Sequence, residues 1–503
     1  MLEQIESKLF HTSYCHRIVG DEQDLKRIPL LNRIIVCYVG LSALVYALFL
    51  ISPFVTLVSP TPLHHLQTYM GVIGAVLMGI DLLTNRGLWR GAYVILLYGI
   101  CAVALVSSVL TLSYGAKDNL FIICWTLIQF SLFYSCAQRM ERAELQKYIR
   151  VFFSIIVIVW FVACCISVFQ YFAQIGYLYV IDPLSDDTAV ARQGFIGSRL
   201  FGIFNPLNHA VYVSLMLFLG GIYYIIQTKK KAIRVCLIIA DVIFLLHIML
   251  SGSRSAEISL LCSAFVASFF YLRNKEKYTS GWKRLGMPVL SAILSVVIVF
   301  ACFTGIKEVL GHVPTWLGTV ENQEDLNSDL LEREGLEDDS SNGRLSIWKD
   351  YCSLYGEIGL LGLSPGNYMA YICENNSDLF IVQYIRDTFP EKFAGGIIYH
   401  VHNGYLMTFV STGFLGLFLM LAYLILCLRR VLLHIKYHRR VSDVFTVSFA
   451  IVLAGFISAM FDKGLFFMDN PHTFIFWLAA GILIQELSIP DGARLFSHVK
   501  TEE

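Results

Sequence analysis

Long apolar runs, each closed by a short polar or charged break, recur along the chain from residue 32 to residue 487. A helix needs about 20 apolar residues to cross roughly 30 Å of hydrocarbon. A soluble core helix would carry a polar face within each run, and most of these runs have none. The pattern predicts spans at roughly 32–52, 66–84, 91–113, 118–137, 149–173, 206–226, 233–250, 255–272, 286–305, 405–428, 443–462 and 470–487. The 255–272 run is the least apolar because Glu257 and several serines fall in it, yet its length and flanks favour a crossing. Residues 1–33 are mostly polar, and the first apolar run is longer than the apolar part of a signal peptide, so no cleaved signal is expected. The fold class expected is all-α: a polytopic membrane protein with about 12 transmembrane helices.

Charge gives this bundle a direction. Alternate short loops are basic: Arg86 and Arg90; Arg139, Arg142 and Lys147; Lys229, Lys230, Lys231 and Arg234; Arg273, Lys275, Lys277, Lys283 and Arg284; Arg429, Arg430, Lys436, Arg439 and Arg440. With twelve spans all of these loops and both termini share one side, and an excess of Lys and Arg marks the cytoplasm. The expected organisation is a cytoplasmic segment 1–31, helices one to nine over 32–305, a large extracytoplasmic loop 306–404, helices ten to twelve over 405–487, and a cytoplasmic tail 488–503. The outer side also receives 174–205 and the turn 251–254.

Within the large loop, 319–341 is strongly acidic, with nine carboxylates from Glu321 to Asp339 against Arg333 alone, and reads as a solvated, flexible segment. Leu345, Trp348, Tyr351 and Tyr355 then recur at helical spacing, which predicts an amphipathic helix over 344–357 on the outer mouth of the bundle. Gly359, Gly362, Pro365 and Gly366 follow as turns.

Composition agrees: 56% of the 503 residues are hydrophobic and 15% charged, where a soluble domain carries about 25% charged. Net charge is zero and no zinc or RNA-binding motif appears, so nucleic acid is excluded as a partner. The 13 cysteines form no CxxC pair, and Cys352 and Cys373, which share the large loop, are equally compatible with a bridge or two free thiols.

The candidate chemistry lies on the outer side. Arg254, in Ser251-Gly252-Ser253-Arg254-Ser255, either snorkels to headgroups or grips a phosphate beside hydroxyls and a helix N-terminus. Arg199 precedes Asn205-Pro206, which reads as a capped helix entrance, and Asn208 and His209 fall in the first turn of that membrane helix, where polar groups are costly. Arg344 and Trp348, one turn apart, either anchor the loop helix or contact phosphate or sugar. His400, His402 and Asn403 lie directly before the tenth span and offer a base with an orienting neighbour. No partner carboxylates argue for a metal there. Asp462, Lys463, Asp469, Asn470 and His472 read as interfacial, and Asp81 and Asp241 lie toward the cytoplasmic ends.

The stretches "RLFGIFNPLNHA" at 199–210, "SGSRSA" at 251–256, "NGRLSIW" at 342–348, "GLLGLSPGNY" at 359–368 and "HVHNGYLMTFVSTGFLGL" at 400–417 together resemble the O-antigen ligase and O-antigen polymerase superfamily. The resemblance implies a multi-pass glycosyltransferase of GT-C-like architecture in the bacterial inner membrane, acting on undecaprenyl-diphosphate-linked glycans outside the cytoplasm. It implies that Arg199 and Arg254 hold the lipid diphosphate and that His402, before Asn403, is the base. It matches Arg344 to the arginine opening the loop helix and Asn208 to the asparagine beside the Arg199 region, while the role of His400 stays open. Implied partners are the lipid-linked donor, a glycan or lipid acceptor, and a flippase and a chain-length regulator, with no cofactor or metal. Polymerase and ligase differ in acceptor, with polymerase slightly favoured. A glycan transporter also fits twelve spans, although the halves show no repeat and the largest loop is off-centre.

Overall fold

The computed structural model describes residues 28–85, 92–180, 190–275, 286–319, 343–438 and 440–488. Each predicted span coincides with a helix: α1 Pro29–Leu48, α3 Leu66–Asn85, α4 Val94–Leu110, α5 Lys117–Ile128, α6 Arg142–Phe172, α7 Leu207–Gln227, α8 Lys231–Leu250, α9 Arg254–Arg273, α10 Gly286–Trp316, α16 Gly404–Tyr437, α17 Asp443–Ala459 and α18 Pro471–Ser488, with the short α2 Ser52–Val58 after α1. Among the described residues nine helical stretches are long and apolar enough to cross a membrane, and α4 and α17 are shorter apolar helices. The chain is an all-α polytopic membrane protein with one small exception.

That exception is a three-stranded antiparallel sheet in order β1-β2-β3, formed by β1 Gly176–Val180, β2 Val190–Ile196 and β3 Arg199–Gly202. It is fastened to the bundle by Ser52 N donating to the Ile203 carbonyl (2.9 Å), Gln193 Nε2 to Ser52 Oγ (2.8 Å) and Ile203 N to Ser167 Oγ (3.1 Å). The first and third of these bonds pair main-chain groups that would otherwise be buried without partners.

The helices alternate in direction, so their ends gather into two faces. At the basic face Arg139 clasps Asp81 with two bonds of 2.9 Å and also donates to the Ser131 carbonyl (2.8 Å). Arg142 meets Glu486 (3.0 Å), which accepts from Ser442, and Arg273 donates to the carbonyls of Ile435 and His438. The sequence reading placed Arg86, Arg90, Lys277, Lys283, Arg284, Arg439, most of the segments 1–31 and 488–503, and the acidic run from Glu321 to Asp339 in specific roles; these lie outside the described residues.

At the opposite face the large loop forms a lobe of short helices: α11 Arg344–Ser353, α12 Tyr355–Ile358, α13 Tyr368–Asn375, α14 Phe380–Thr388 and α15 Pro390–Ala394. Several boundaries differ from the expected ones: the helix of the fifth span starts at Arg142, the α-helix of the fourth ends at Ile128, and that of the tenth runs on to Tyr437. The ninth span runs on to Trp316, past 305. The amphipathic helix breaks at Leu354 and buries Ile347, Tyr351, Leu354 and Ile358, leaving Leu345 and Tyr355 exposed, because its neighbour is the lobe's own core. Cys352 and Cys373 are both free thiols.

The lobe is tied to the bundle through main chain. α16 is kinked at Gly413, where φ is 62° and ψ −162°. The segment 359–364 fills the break: Leu363 N and Ser364 N donate to the carbonyls of Val410 and Ser411, and Phe414 N and Leu415 N donate to those of Gly359 and Leu360. A β-carbon on Gly362 would meet Thr412 N at 2.4 Å, so this approach requires glycine. Asn367 Nδ2 adds bonds to the carbonyls of Thr111 (2.8 Å) and Gly115 (2.7 Å).

Candidate active site

Three elements converge on a cationic pocket of about 360 Å³ lined by Ser198, Arg199, Gly252, Ser253, Arg254, Glu257, Phe303 and Lys307, among others. Arg199 opens β3; its Nε donates to the Ser251 carbonyl (3.0 Å) and its guanidinium lies 5.6 Å from the centre of the Phe201 ring. Gly252 makes the turn between α8 and α9 at φ 61°, and Arg254 is the first residue of α9. Lys307 lies on the part of α10 that continues past residue 305 to Trp316. Glu257 stands within electrostatic reach of both Arg254 and Lys307. Three cations, one carboxylate and two serines suit a multiply charged anion, which a guanidinium fork and a hydroxyl bind in complementary ways.

The second cluster is built around the chain before α16. Two donors on α11 fix its path: Trp348 Nε1 to the Val401 carbonyl (2.9 Å) and Tyr351 Oη to the Tyr399 carbonyl (2.6 Å). Asn403 caps α16, its Oδ1 accepting from Tyr405 N and Leu406 N (3.0 Å each). His402, between these anchors, adopts φ 48°, a region that histidine enters more readily than most side chains.

Around it stand His209 of α7, His472 of α18, and Asp462 and Lys463 from the loop after α17, which ends at Ala459. Asp462 Oδ2 lies 3.7 Å from His209 Nε2, and its Oδ1 accepts from Lys463 N (2.8 Å). The His472 ring packs 5.0 Å from that of His209 and 5.4 Å from that of Tyr212.

The two histidines before α16 differ in their surroundings. His400 is engaged on both nitrogens: Tyr368 Oη lies 3.1 Å from Nδ1, and Lys463 Nζ lies 3.1 Å from Nε2. Burial, then the Lys463 charge, push His400 down to about 3, so it is a neutral hydrogen-bond partner. His402 also falls below the ordinary histidine value. Burial is the main cause, with Arg344, Lys463 and His209 adding to it and Asp462 opposing. Its Nδ1 has no partner among the described residues. Burial would raise Asp462, but His209, His402 and the Lys463 amide outweigh it and hold the carboxylate below its usual range. Lys463 is lowered by burial, against the pull of Asp462 and Asp469.

A line of hydroxyls joins the two clusters. Tyr212 Oη donates to Ser255 Oγ (2.6 Å), which lies 3.3 Å from Ser253 Oγ in the lining of the cationic pocket. The Tyr212 ring packs on His472 at the other end. An anion among the arginines and an imidazole near Asp462 are therefore parts of one polar interior.

Residues 239–421 match the family model described as O-antigen ligase. Over this stretch the chain is similar to the O-antigen ligase family. No curated protein and no solved structure matches the chain. The O-antigen ligase region indicates glycan transfer of the ligase type. It contains Arg254, Lys307, Arg344, Trp348, His400, His402 and Asn403, and the fold brings Arg199, His209, Asp462 and Lys463 to it from outside.

Arg199 and Arg254 share the pocket. Asn403 spends its carbonyl on the helix cap and Trp348 its indole N–H on Val401, so both position the O-antigen ligase loop. Arg344 acts electrostatically on His402 and Tyr212. Asn208 is half-buried, one residue before His209. Sequence reasoning gave no role to Lys307 and treated Asp462, Lys463 and His472 as interfacial. The one available signal was the clustering of Asp462, Lys463, Asp469 and His472 within eleven residues between two apolar runs.

Proposed function

We propose that this protein transfers a glycan from an undecaprenyl-diphosphate-linked donor to a sugar hydroxyl at the outer face of the bacterial cytoplasmic membrane, joining repeat units of an O-antigen, capsule or exopolysaccharide. In this reading the chain crosses the membrane twelve times, its basic face is cytoplasmic, and the lobe over 306–404 is extracytoplasmic. The observation that carries it is the hydroxyl line from the cationic pocket to the imidazole cluster.

The donor diphosphate lies against Arg199, Arg254 and Lys307. As the bond from C1 to the diphosphate oxygen breaks, negative charge grows on the leaving group, and preorganised cations stabilise it more than they stabilise the ground state. The acceptor hydroxyl attacks C1 from the opposite face and its proton passes to His402. The lowered proton affinity of His402 keeps it in the basic form at neutral pH, and Asp462 favours the imidazolium that forms. His400, held on both nitrogens, is the poorer candidate for this step. Attack opposite the leaving group inverts C1. Arg344 and Asn208 contact phosphate or sugar. A flippase to deliver the donor and a chain-length regulator are the partners such a reaction calls for.

The test is reconstitution in liposomes containing lipid-linked repeat units, in EDTA, with products resolved by size. A ladder that grows without added acceptor, with release of undecaprenyl diphosphate, is the expected result. Single-step transfer only when lipid A core, a wall polymer or a protein is added would make the protein a ligase, the reading favoured by the description of its family. No transfer with any donor would leave a glycan transporter.

A further inference from the structure

The lobe carries an aromatic stripe that the transfer chemistry does not use. α14 buries Ile381, Val382 and Ile385 in the lobe core and turns Phe380, Gln383, Tyr384 and Asp387 outward. Phe380 is 44% and Tyr384 39% exposed. Their rings are 5.7 Å apart, and the Tyr384 ring lies 5.4 Å from that of Tyr399, tilted by 33°. Tyr399 is bonded directly to His400, and its carbonyl is held by Tyr351. Burial and the Tyr384 hydroxyl push the Tyr399 phenol up to about 12, so it remains a neutral hydroxyl.

We infer that Phe380, Tyr384 and Tyr399 form a subsite for the acceptor glycan, a run of pyranose rings leading to the base. This rests on the transferase reading. Sugar rings present flat C–H faces to aromatic rings and hydroxyls to the edges. The stripe answers the first with three rings in series and the second with two phenols, the Gln383 amide and the Asp387 carboxylate. The exposed face of α14 also carries the Gln383 amide beside Tyr384 and the Arg386–Asp387 ion pair (3.4 Å), polar groups that can meet sugar hydroxyls. The stripe ends at the chain segment that carries His402, the base in the transferase reading, and it shares no residue with the lining of the cationic pocket, which assigns it to the acceptor. Phe380 and Tyr384 are both exposed, unlike the fully buried aromatics of the bundle core such as Trp125, Tyr134 and Trp477.

The probes are the lipid-linked repeat unit of the source cell and the oligosaccharide released from it by mild acid. Tyr384→Leu and Phe380→Leu keep apolar bulk and remove the ring face; Tyr384→Phe keeps the ring. With oligosaccharide as acceptor, each leucine variant should raise acceptor KM about five- to tenfold with kcat little changed, and the ladder should shift to shorter products. Tyr384→Phe should stay near wild type. Unchanged acceptor KM and product length in both leucine variants, in protein that melts like wild type, would overturn the subsite and make the stripe an apolar rim at the membrane surface. If wild type transfers nothing, the transferase reading fails separately and oligosaccharide binding in nanodiscs decides. Binding abolished by Tyr384→Leu keeps a glycan subsite, and absent binding removes it.

Discussion

The two faces of the bundle both bury charge, and they treat it differently. At the basic face the guanidinium of Arg139, almost wholly buried, has each of its nitrogens bonded, two of them to Asp81. At the site face His402 Nδ1 and both nitrogens of His472 are buried with no partner among the described residues. A buried polar group that is fully bonded holds structure in place, while one left unbonded raises the energy of the folded state. Around Arg139 the charged groups serve architecture. Around His402 and His472 ring nitrogens are left available for chemistry.

The largest effect that tests this contrast is loss of the base. His402→Ala should lower transfer by about 10²–10⁴-fold in protein that folds normally, measured as ladder formation per folded molecule. Unaltered transfer would sink the assignment. Next, Asp81→Ala strands a buried guanidinium and should cost about 3–5 kcal/mol of stability, seen as a lower denaturation midpoint, with transfer per folded molecule unchanged. A catalytic defect without that loss would end the division between the two faces. Arg254→Gln removes one charged contact to the leaving group and should lower kcat/KM roughly 10- to 100-fold, without the stability loss of Asp81→Ala. The smallest effects are in pH dependence. Activity falls as pH drops through the proton affinity of His402, and burial places that acid limb below the ordinary histidine value. Lys463 depresses His402 further, so Lys463→Met should move the limb to higher pH. Asp462 opposes the depression, so Asp462→Asn should move it lower. Shifts in the same direction would show that neither charge acts on His402.

The helices were legible because a membrane imposes a length and an apolar composition that few other causes produce, and each predicted run became a helix. The place of His400 and His402 was legible for a local reason: both stand directly before an apolar run, which sets them at the mouth of α16. Lys307 was hidden by a boundary, since the apolar run ends near 305 while the helix continues to Trp316 and carries the lysine to the pocket. Asp462 and Lys463 were hidden by distance in sequence. They follow His402 by 60 residues, and only the return of the chain between α17 and α18 brings them to it. Trp348 and Tyr351 show the reverse. Their spacing was read correctly, but their polar atoms bond backbone carbonyls, which no side-chain pattern reports.

The docking of 359–364 into the kink of α16 has a consequence for descent. The bonds that register the lobe to the helix run from main chain to main chain, and apart from the glycines they ask for no particular side chain. Provided Trp348 and Tyr351 keep their bonds to the chain before α16, substitutions elsewhere in the lobe can accumulate without displacing the histidine at its head. A lineage that changes its surface sugars can therefore rewrite the face of the lobe that meets them and inherit the reaction centre intact.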